Sequence, residues 1–151
     1  MPQHVPFGPI AALMFLAGIG IPIMAAWNSG LGAQLGSPAA ATFVAMLVGA
    51  GVAGLIVAFV GLPAGARFTF ERPYVYAGAV FIVFYALSIT WAAPRIGVGN
   101  AVFFVLLGQL LAAAAIDHFG LWGAAPSALT TKRAAGIAIM ALGVFLARKP
   151  A

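Results

Sequence analysis

The chain has 151 residues, of which 64% are hydrophobic and 6% charged, whereas soluble domains carry roughly 25% charged residues. Seven Lys or Arg and two Asp or Glu are too few to cover a water-facing surface, which excludes a soluble globular domain. The Lys and Arg behind the net charge of +5 stand singly or in pairs, which excludes the clustered basic face that nucleic-acid binding requires.

Five apolar runs, separated by Gly, Pro and polar residues, predict five membrane-spanning helices. About 20 apolar residues in a helix cross the roughly 30 Å hydrocarbon layer of a bilayer. The runs are apolar on all sides, which excludes alternating barrel strands, and helices satisfy their backbone hydrogen bonds internally, as lipid requires. The predicted fold is all-α: a polytopic membrane protein with a single transmembrane domain, residues 1–151.

The first two helices are predicted over about 9–35 and 38–60. Pro9 can occupy the first position of a helix because its missing N–H would have no partner there. Ser37 is predicted to be the N-cap of the second helix. No charged residue precedes Arg67, so this stretch lacks the basic start of a cleavable signal peptide and is expected to remain as a membrane helix.

The remaining helices are predicted over about 73–93, 97–118 and 131–147. Pro94 predicts the end of the third helix, because proline disfavours helical backbone in the residue before it. Thr131 is predicted to cap the fifth helix.

Small residues recur at helical spacing in the second and fifth helices. They are Ala45, Gly49, Ala53, Gly54 and Ala58 in the second, and Gly136 and Gly143 in the fifth. Small residues let two helix backbones approach closely, so these surfaces are candidate packing faces. The alternative is the ordinary composition of membrane helices, in which Gly is frequent.

The Lys and Arg residues are almost evenly divided between the two sides of a five-span topology. One side carries Arg67, Arg72, Lys132 and Arg133, and the other carries Arg95, Arg148 and Lys149. Orientation follows this difference, and four against three gives almost no bias. Two readings stay open: an antiparallel homodimer of a dual-topology chain, or one orientation fixed by a paired five-helix homologue.

Uncharged polar and aromatic residues at membrane depth are the candidates for a substrate cavity. Asn28 and Gln109 must find partners or line a cavity, because an unpaired amide in lipid costs a few kcal/mol. Trp27, Tyr85 and Trp91 could surround an organic cation with their ring faces. Interhelical hydrogen bonds and interfacial or packing roles explain the same residues equally well.

Asp117 is unusual because a negative charge at a helix C-terminus opposes the helix dipole. It needs a cationic partner, and Lys132 and Arg133 are predicted on the same side of the membrane. A structural ion pair is one interpretation. The other is a gate formed with His118, because histidine titrates near physiological pH.

The sequence contains no arrangement typical of an enzyme or a metal site. There is no cysteine, and Asp117 beside His118 has no serine in register. Two histidines without cysteine do not predict a metal site, and no cofactor is expected. No ionisable residue is predicted at the bilayer centre, which disfavours exchange through a buried carboxylate.

Several motifs resemble one family of membrane proteins. In the fourth helix they are Gly108 and Gln109, followed by Ile116, Asp117, His118, Phe119, Gly120 and Leu121. Elsewhere they are Asn28 with Leu31, Gly36 to Pro38, Pro94 to Gly97, Arg133 and Gly136. This pattern resembles the YdcZ-like family of inner-membrane exporters in the drug/metabolite transporter superfamily. The resemblance implies paired five-helix units and transport of small molecules.

Together these observations predict half of an inverted-repeat transporter in the bacterial inner membrane. Two five-helix units in opposite orientations would export a small molecule by alternating access, with membrane lipid around them. The alternative is a non-transporting scaffold or modulatory subunit of another membrane protein. Dry helix interfaces without a polar cavity would favour that alternative.

Overall fold

The computed structural model describes residues 7–67 and 69–147, and every regular element in these residues is helical. The five long helices are α1 (Phe7–Leu35), α2 (Pro38–Val60), α3 (Gly78–Ile96), α4 (Val98–Phe119) and α5 (Thr131–Ala147). Short 3₁₀ turns at Pro73–Ala77 and Leu121–Gly123 precede α3 and follow α4. The all-α prediction is confirmed.

Among the described residues, four segments are long and apolar enough to cross a membrane: Phe7–Leu35, Pro38–Val60, Pro73–Ile96 and Val98–Phe119. The fifth helix has 17 residues and is about 25 Å long, at the lower end of what a bilayer requires. The chain is therefore a polytopic membrane protein of five helices.

The first turn forms as predicted. Gly36 ends α1 with a φ of +62°, a left-handed conformation that glycine adopts without steric cost. The Ser37 hydroxyl then accepts a hydrogen bond from the Ala40 amide at 3.2 Å, and Pro38 opens α2. The two-residue connection makes α1 and α2 antiparallel neighbours.

Three predicted helix limits need correction. The first helix begins at Phe7, two residues before Pro9. The third begins as a 3₁₀ turn and ends at Ile96, because a proline in the last turn removes only one backbone hydrogen bond. Here Arg95 adds a side-chain bond to the Trp91 carbonyl.

The predicted cap of α5 was wrong by one residue. The hydroxyl of Thr130, not Thr131, accepts the Arg133 amide at 3.2 Å, and its carbonyl accepts the Ala134 amide at 2.9 Å. Two adjacent threonines offer the same hydroxyl, and the backbone conformation decides which of them caps the helix.

The described residues fall into two compact units that divide between Arg95 and Ile96. In the first unit, most residues that become buried on α1, α2 and α3 are small. They are Ala25 and Gly32 on α1, Ala41 and Thr42 on α2, and Ala86, Thr90 and Ala93 on α3, together with the larger Asn28 and Ile89. Small side chains allow close helix approach where lipid supplies no hydrophobic driving force.

In the second unit, α4 packs against α5. Gly120 ends α4 with a φ of +59°, and its amide bonds the carbonyl of Ile116. The glycines predicted to form packing faces are Gly49 and Gly54 on α2 and Gly136 and Gly143 on α5. A β-carbon added to any of them would have no neighbouring heavy atom within 4 Å. These faces are not used for packing within the described residues.

Candidate functional site

Four polar side-chain atoms of α1 and α3 are buried without a hydrogen-bond partner in the described part of the chain. The atoms are Asn28 Nδ2, Ser29 Oγ, Tyr85 OH and Thr90 Oγ1. Asn28 is 8% and Thr90 2% exposed. We call these residues the α1–α3 polar cluster.

α1 and α3 approach each other at one residue of this cluster, Thr90. A β-carbon on Gly32 would lie 3.1 Å from Thr90 Cγ2, so these two residues mark the helix crossing. Asn28 on α1 and Ala86 on α3 each lie one turn before the crossing. Ser29 follows Asn28 in the chain, and Tyr85 precedes Ala86.

The cluster offers hydrogen-bond donors and no net charge. An amide NH₂ and three hydroxyls can each donate to an oxygen or nitrogen acceptor. A buried polar group without a partner costs about 1–3 kcal/mol, and no water in the hydrocarbon core offsets this cost. The arrangement is therefore suited to binding an uncharged or weakly polar solute that carries acceptor groups.

The other residues predicted for the cavity lie elsewhere. Trp27 is 76% exposed on α1, and Gln109 is exposed on α4 in the second unit. Ring contacts in the described residues join Phe70 to Tyr76 and His118 to Phe119, so they do not unite Trp27, Tyr85 and Trp91. Asn28 and Tyr85 are the two predicted cavity residues whose polar atoms are buried without a partner among the described residues.

Trp91 lines a groove between α2 and α3. The groove has a volume of ≈ 560 Å³, and its walls are Ser37, Pro38, Ala39, Leu87, Ser88, Trp91 and Ala92. The Arg95 guanidinium stacks on the Trp91 ring at 4.3 Å from the ring centre. A positive charge therefore lies against one wall of this apolar groove.

Asp117 and Arg133 connect α4 to α5. Arg133 Nη2 lies 2.5 Å from Asp117 Oδ2, and Arg133 Nη1 donates to Ser127 Oγ at 3.5 Å. Both charged side chains are about one-third exposed, at 34% and 38%. Of the two cations that the sequence offered to Asp117, Arg133 is the one that binds it.

His118 holds the loop between α4 and α5. Its Nδ1 accepts a hydrogen bond from the Leu129 amide at 3.0 Å, while the Ser127 amide donates to the Asp117 carbonyl at 2.8 Å. His118 therefore lies beside the ion pair but binds the backbone and not the carboxylate. An apolar groove of ≈ 590 Å³ between α4 and α5 also includes His118 in its wall.

Sequence reasoning picked out Thr90 as a polar residue at membrane depth but missed Ser29, Gly32 and Arg95 as members of these sites. One signal was present: Tyr85, Ile89 and Thr90 follow helical spacing and share part of a face with the buried alanines of α3. Spacing alone does not reveal which neighbouring helix that face contacts.

Comparison with known families agrees with the fold. A family model described as "Putative inner membrane exporter, YdcZ" matches residues 9–146, which is nearly all of the chain. Searches of curated proteins and of solved structures gave no match. The family is one of membrane exporters and not of enzymes. The chain therefore belongs to the YdcZ family of inner-membrane exporters and is a multi-pass protein of that membrane.

Proposed function

We propose that the chain is a secondary transporter that exports a small molecule by alternating access. The observation that carries this proposal is the α1–α3 polar cluster, in which four hydrogen-bonding atoms lack a partner among the described residues. Groups that only stabilise the fold would bond each other, because leaving them unpaired is costly in lipid. A solute that visits the cluster during transport would supply the acceptors.

The charge distribution supports a mechanism without a carboxylate at the bilayer centre. The two acids of the chain are Glu71, which precedes α3, and Asp117, which lies in the last turn of α4. Asp117 is already paired with Arg133. Movement of α1 against α3 would therefore expose uncharged donors in turn to each side.

Pairing of two five-helix units completes the proposed transporter. The nearly even division of Lys and Arg allows either orientation, and two opposite orientations generate an inverted repeat. The exposed small-residue faces of α2 and α5, around Gly49 and Gly143, leave room for a close helix contact. An antiparallel homodimer is the simplest such pair, and a five-helix homologue is the alternative partner.

A non-transporting scaffold is the second candidate function. One observation favours it: the four cluster atoms are closed to solvent in this conformation. If α1 and α3 never separate, the cluster is only a strained interface and no solute reaches it. Access of water-soluble reagents to the cluster distinguishes the two functions.

The chain has no cysteine, so single-cysteine variants need no background substitutions. We expect Ser29→Cys and Thr90→Cys in proteoliposomes to react to completion with a membrane-impermeant maleimide added outside only. Alternating access presents the cluster to the outside in every copy, whichever way that copy is inserted. Labelling is read by the mass shift of the protein.

Gly30→Cys is the matched control, because Gly30 lies at the same depth as Ser29 but is exposed with no neighbour within 4 Å. We expect it to stay unlabelled in lipid. If labelling of Ser29→Cys or Thr90→Cys stops at the fraction of copies inserted in one orientation, alternating access is contradicted. Absence of labelling, with full reaction after solubilisation in denaturant, would favour the scaffold.

A further inference from the structure

We propose that the groove between α2 and α3 is a binding site for an anionic phospholipid of the surrounding bilayer. The lipid phosphate would bind Arg95, and an acyl chain would lie along the groove. This site is separate from the α1–α3 polar cluster and does not depend on transport. It assigns Trp91 to lipid contact and not to the substrate cavity.

The groove has the size and lining that a lipid chain requires. Its ≈ 560 Å³ falls within the range of about 300–1,000 Å³ typical of small-molecule sites. Leu87, Trp91 and Ala92 form one wall, and Pro38 and Ala39 at the start of α2 form the other. Trp91 is 54% exposed, so its ring is available to a ligand.

Arg95 supplies a charge that takes part in no ion pair among the described residues. Leu87, Trp91 and Arg95 are four residues apart in turn and therefore follow one face of α3. The guanidinium folds over the Trp91 ring and donates one hydrogen bond, to the Trp91 carbonyl. Because a guanidinium has five N–H donors, others remain for phosphate oxygens.

No carboxylate competes for Arg95 among the described residues. The ion pair found in residues 7–67 and 69–147 joins Asp117 to Arg133, and Glu71 lies before the opposite end of α3. Two hydroxyls of the groove, Ser37 and Ser88, can also donate to an anion. The groove thus combines an apolar wall with a positively charged end.

The position along the membrane identifies a lipid as the occupant. Arg95 is in the last turn of α3, next to the α1–α2 turn, and therefore lies where headgroups meet water. Tryptophan is enriched at this level of membrane proteins, and a cation near the surface attracts anionic lipids. A phosphate attached to acyl chains satisfies the cation and the apolar wall together.

Quenching of Trp91 fluorescence by brominated lipids tests the proposal. A variant with Trp27→Phe and Trp122→Phe retains Trp91 as its sole tryptophan, because the chain has three. It is reconstituted in phosphatidylcholine vesicles that contain equal amounts of brominated phosphatidylglycerol or brominated phosphatidylcholine. We expect brominated phosphatidylglycerol to occupy the site about fivefold more often, from the attraction of one arginine to anionic lipid.

Arg95→Gln should abolish this preference, whereas Arg72→Gln, which changes an exposed cation outside the groove, should preserve it. Ala92→Leu narrows the groove and should reduce quenching by both lipids without removing a charge. Equal quenching in the parent protein, or a preference that persists in Arg95→Gln, would overturn the proposal. If millimolar inorganic phosphate removes the preference, the site binds free phosphate, and the proposal of a lipid site is overturned.

Discussion

The two buried threonines of the first unit have opposite hydrogen-bonding states. Thr42 is 3% exposed and its hydroxyl donates to the Pro38 carbonyl of its own helix at 2.9 Å. Thr90 is 2% exposed and its hydroxyl has no partner among the described residues. Residues of the same type and burial therefore have different energetic roles.

Substitution by valine, which keeps the shape and removes the hydroxyl, distinguishes these roles. Thr42→Val should lower the free energy of unfolding by about 1 kcal/mol, because a satisfied bond is lost. Thr90→Val should leave it unchanged or raise it, because an unpaired hydroxyl is removed. Thermal unfolding in detergent measures both variants. If Thr90→Val lowers the free energy of unfolding as much as Thr42→Val, the Thr90 hydroxyl has a hydrogen-bond partner.

The Asp117–Arg133 ion pair joins two helices, but both side chains are about one-third exposed. Solvent screening therefore limits its contribution, and we expect Asp117→Asn or Arg133→Gln to lower the free energy of unfolding by about 1 kcal/mol. The double variant should be no less stable than either single variant, because the first substitution already breaks the ion pair. Unfolding of the purified protein in detergent measures the series.

Arg72→Gln is the control for this pair, because Arg72 takes part in no ion pair among the described residues. Its stability should match that of the parent protein. Strictly additive losses in the double variant would mean that Asp117 and Arg133 do not interact in the membrane protein.

At the scale of the helices, the crossing of α1 and α3 depends on a residue without a side chain. A β-carbon on Gly32 would meet Thr90 Cγ2 at 3.1 Å and Ala41 Cβ at 3.8 Å. The α1–α3 polar cluster lies beside this crossing. Its geometry therefore depends on the absence of a side chain at Gly32.

Gly32→Leu should force α1 and α3 apart and lower the free energy of unfolding by about 1–3 kcal/mol, the usual cost of overpacking. Gly18→Leu is the matched control on the same helix, because no heavy atom lies within 4 Å of a β-carbon there. That variant should be at least as stable as the parent, since leucine favours helix more than glycine. Equal stability of the two variants in detergent would contradict the crossing.

The limits of the helices could be predicted because they depend on local chemistry. Ser37 and Pro38 open α2 as expected, since a capping hydroxyl and a proline act on their own backbone. The error at Pro94 arises because one extra side-chain bond supports the last turn of α3, and the error at Thr130 arises because two neighbouring threonines can both cap the first turn of α5. The small-residue faces of α2 and α5 stay a prediction for packing between units, because spacing does not tell an internal contact from an exposed face.

At the scale of the whole molecule, the sequence places four Lys and Arg on one side of the membrane and three on the other. We expect C-terminal fusions to a cytoplasm-active and to an outside-active reporter both to give signal, because this difference barely biases insertion. The double variant Arg67→Gln with Arg72→Gln leaves two Lys and Arg on the first side against three on the side of the C-terminus, so the difference changes sign. A larger fraction of the chains should then have the C-terminus in the cytoplasm, which the ratio of the two reporter signals measures.

A signal from one reporter only, unchanged by these substitutions, would contradict the antiparallel homodimer and favour a paired homologue. Complete labelling of Ser29→Cys by maleimide added outside only would then still support transport. The orientation of the chain and the function of the polar cluster are thus tested separately.

The sequence by itself determined that lipid surrounds the protein, where its helices lie and which family it belongs to. Nine charged residues in 151 exclude a water-facing surface, and the length of each apolar run determines whether it can cross lipid. Tertiary structure decided that Thr90 meets Gly32, that Asp117 binds Arg133 and not Lys132, and that Trp91 faces a groove. The physical reason is that helical spacing defines the faces of a helix, whereas the rotation and depth of its neighbours decide which faces meet.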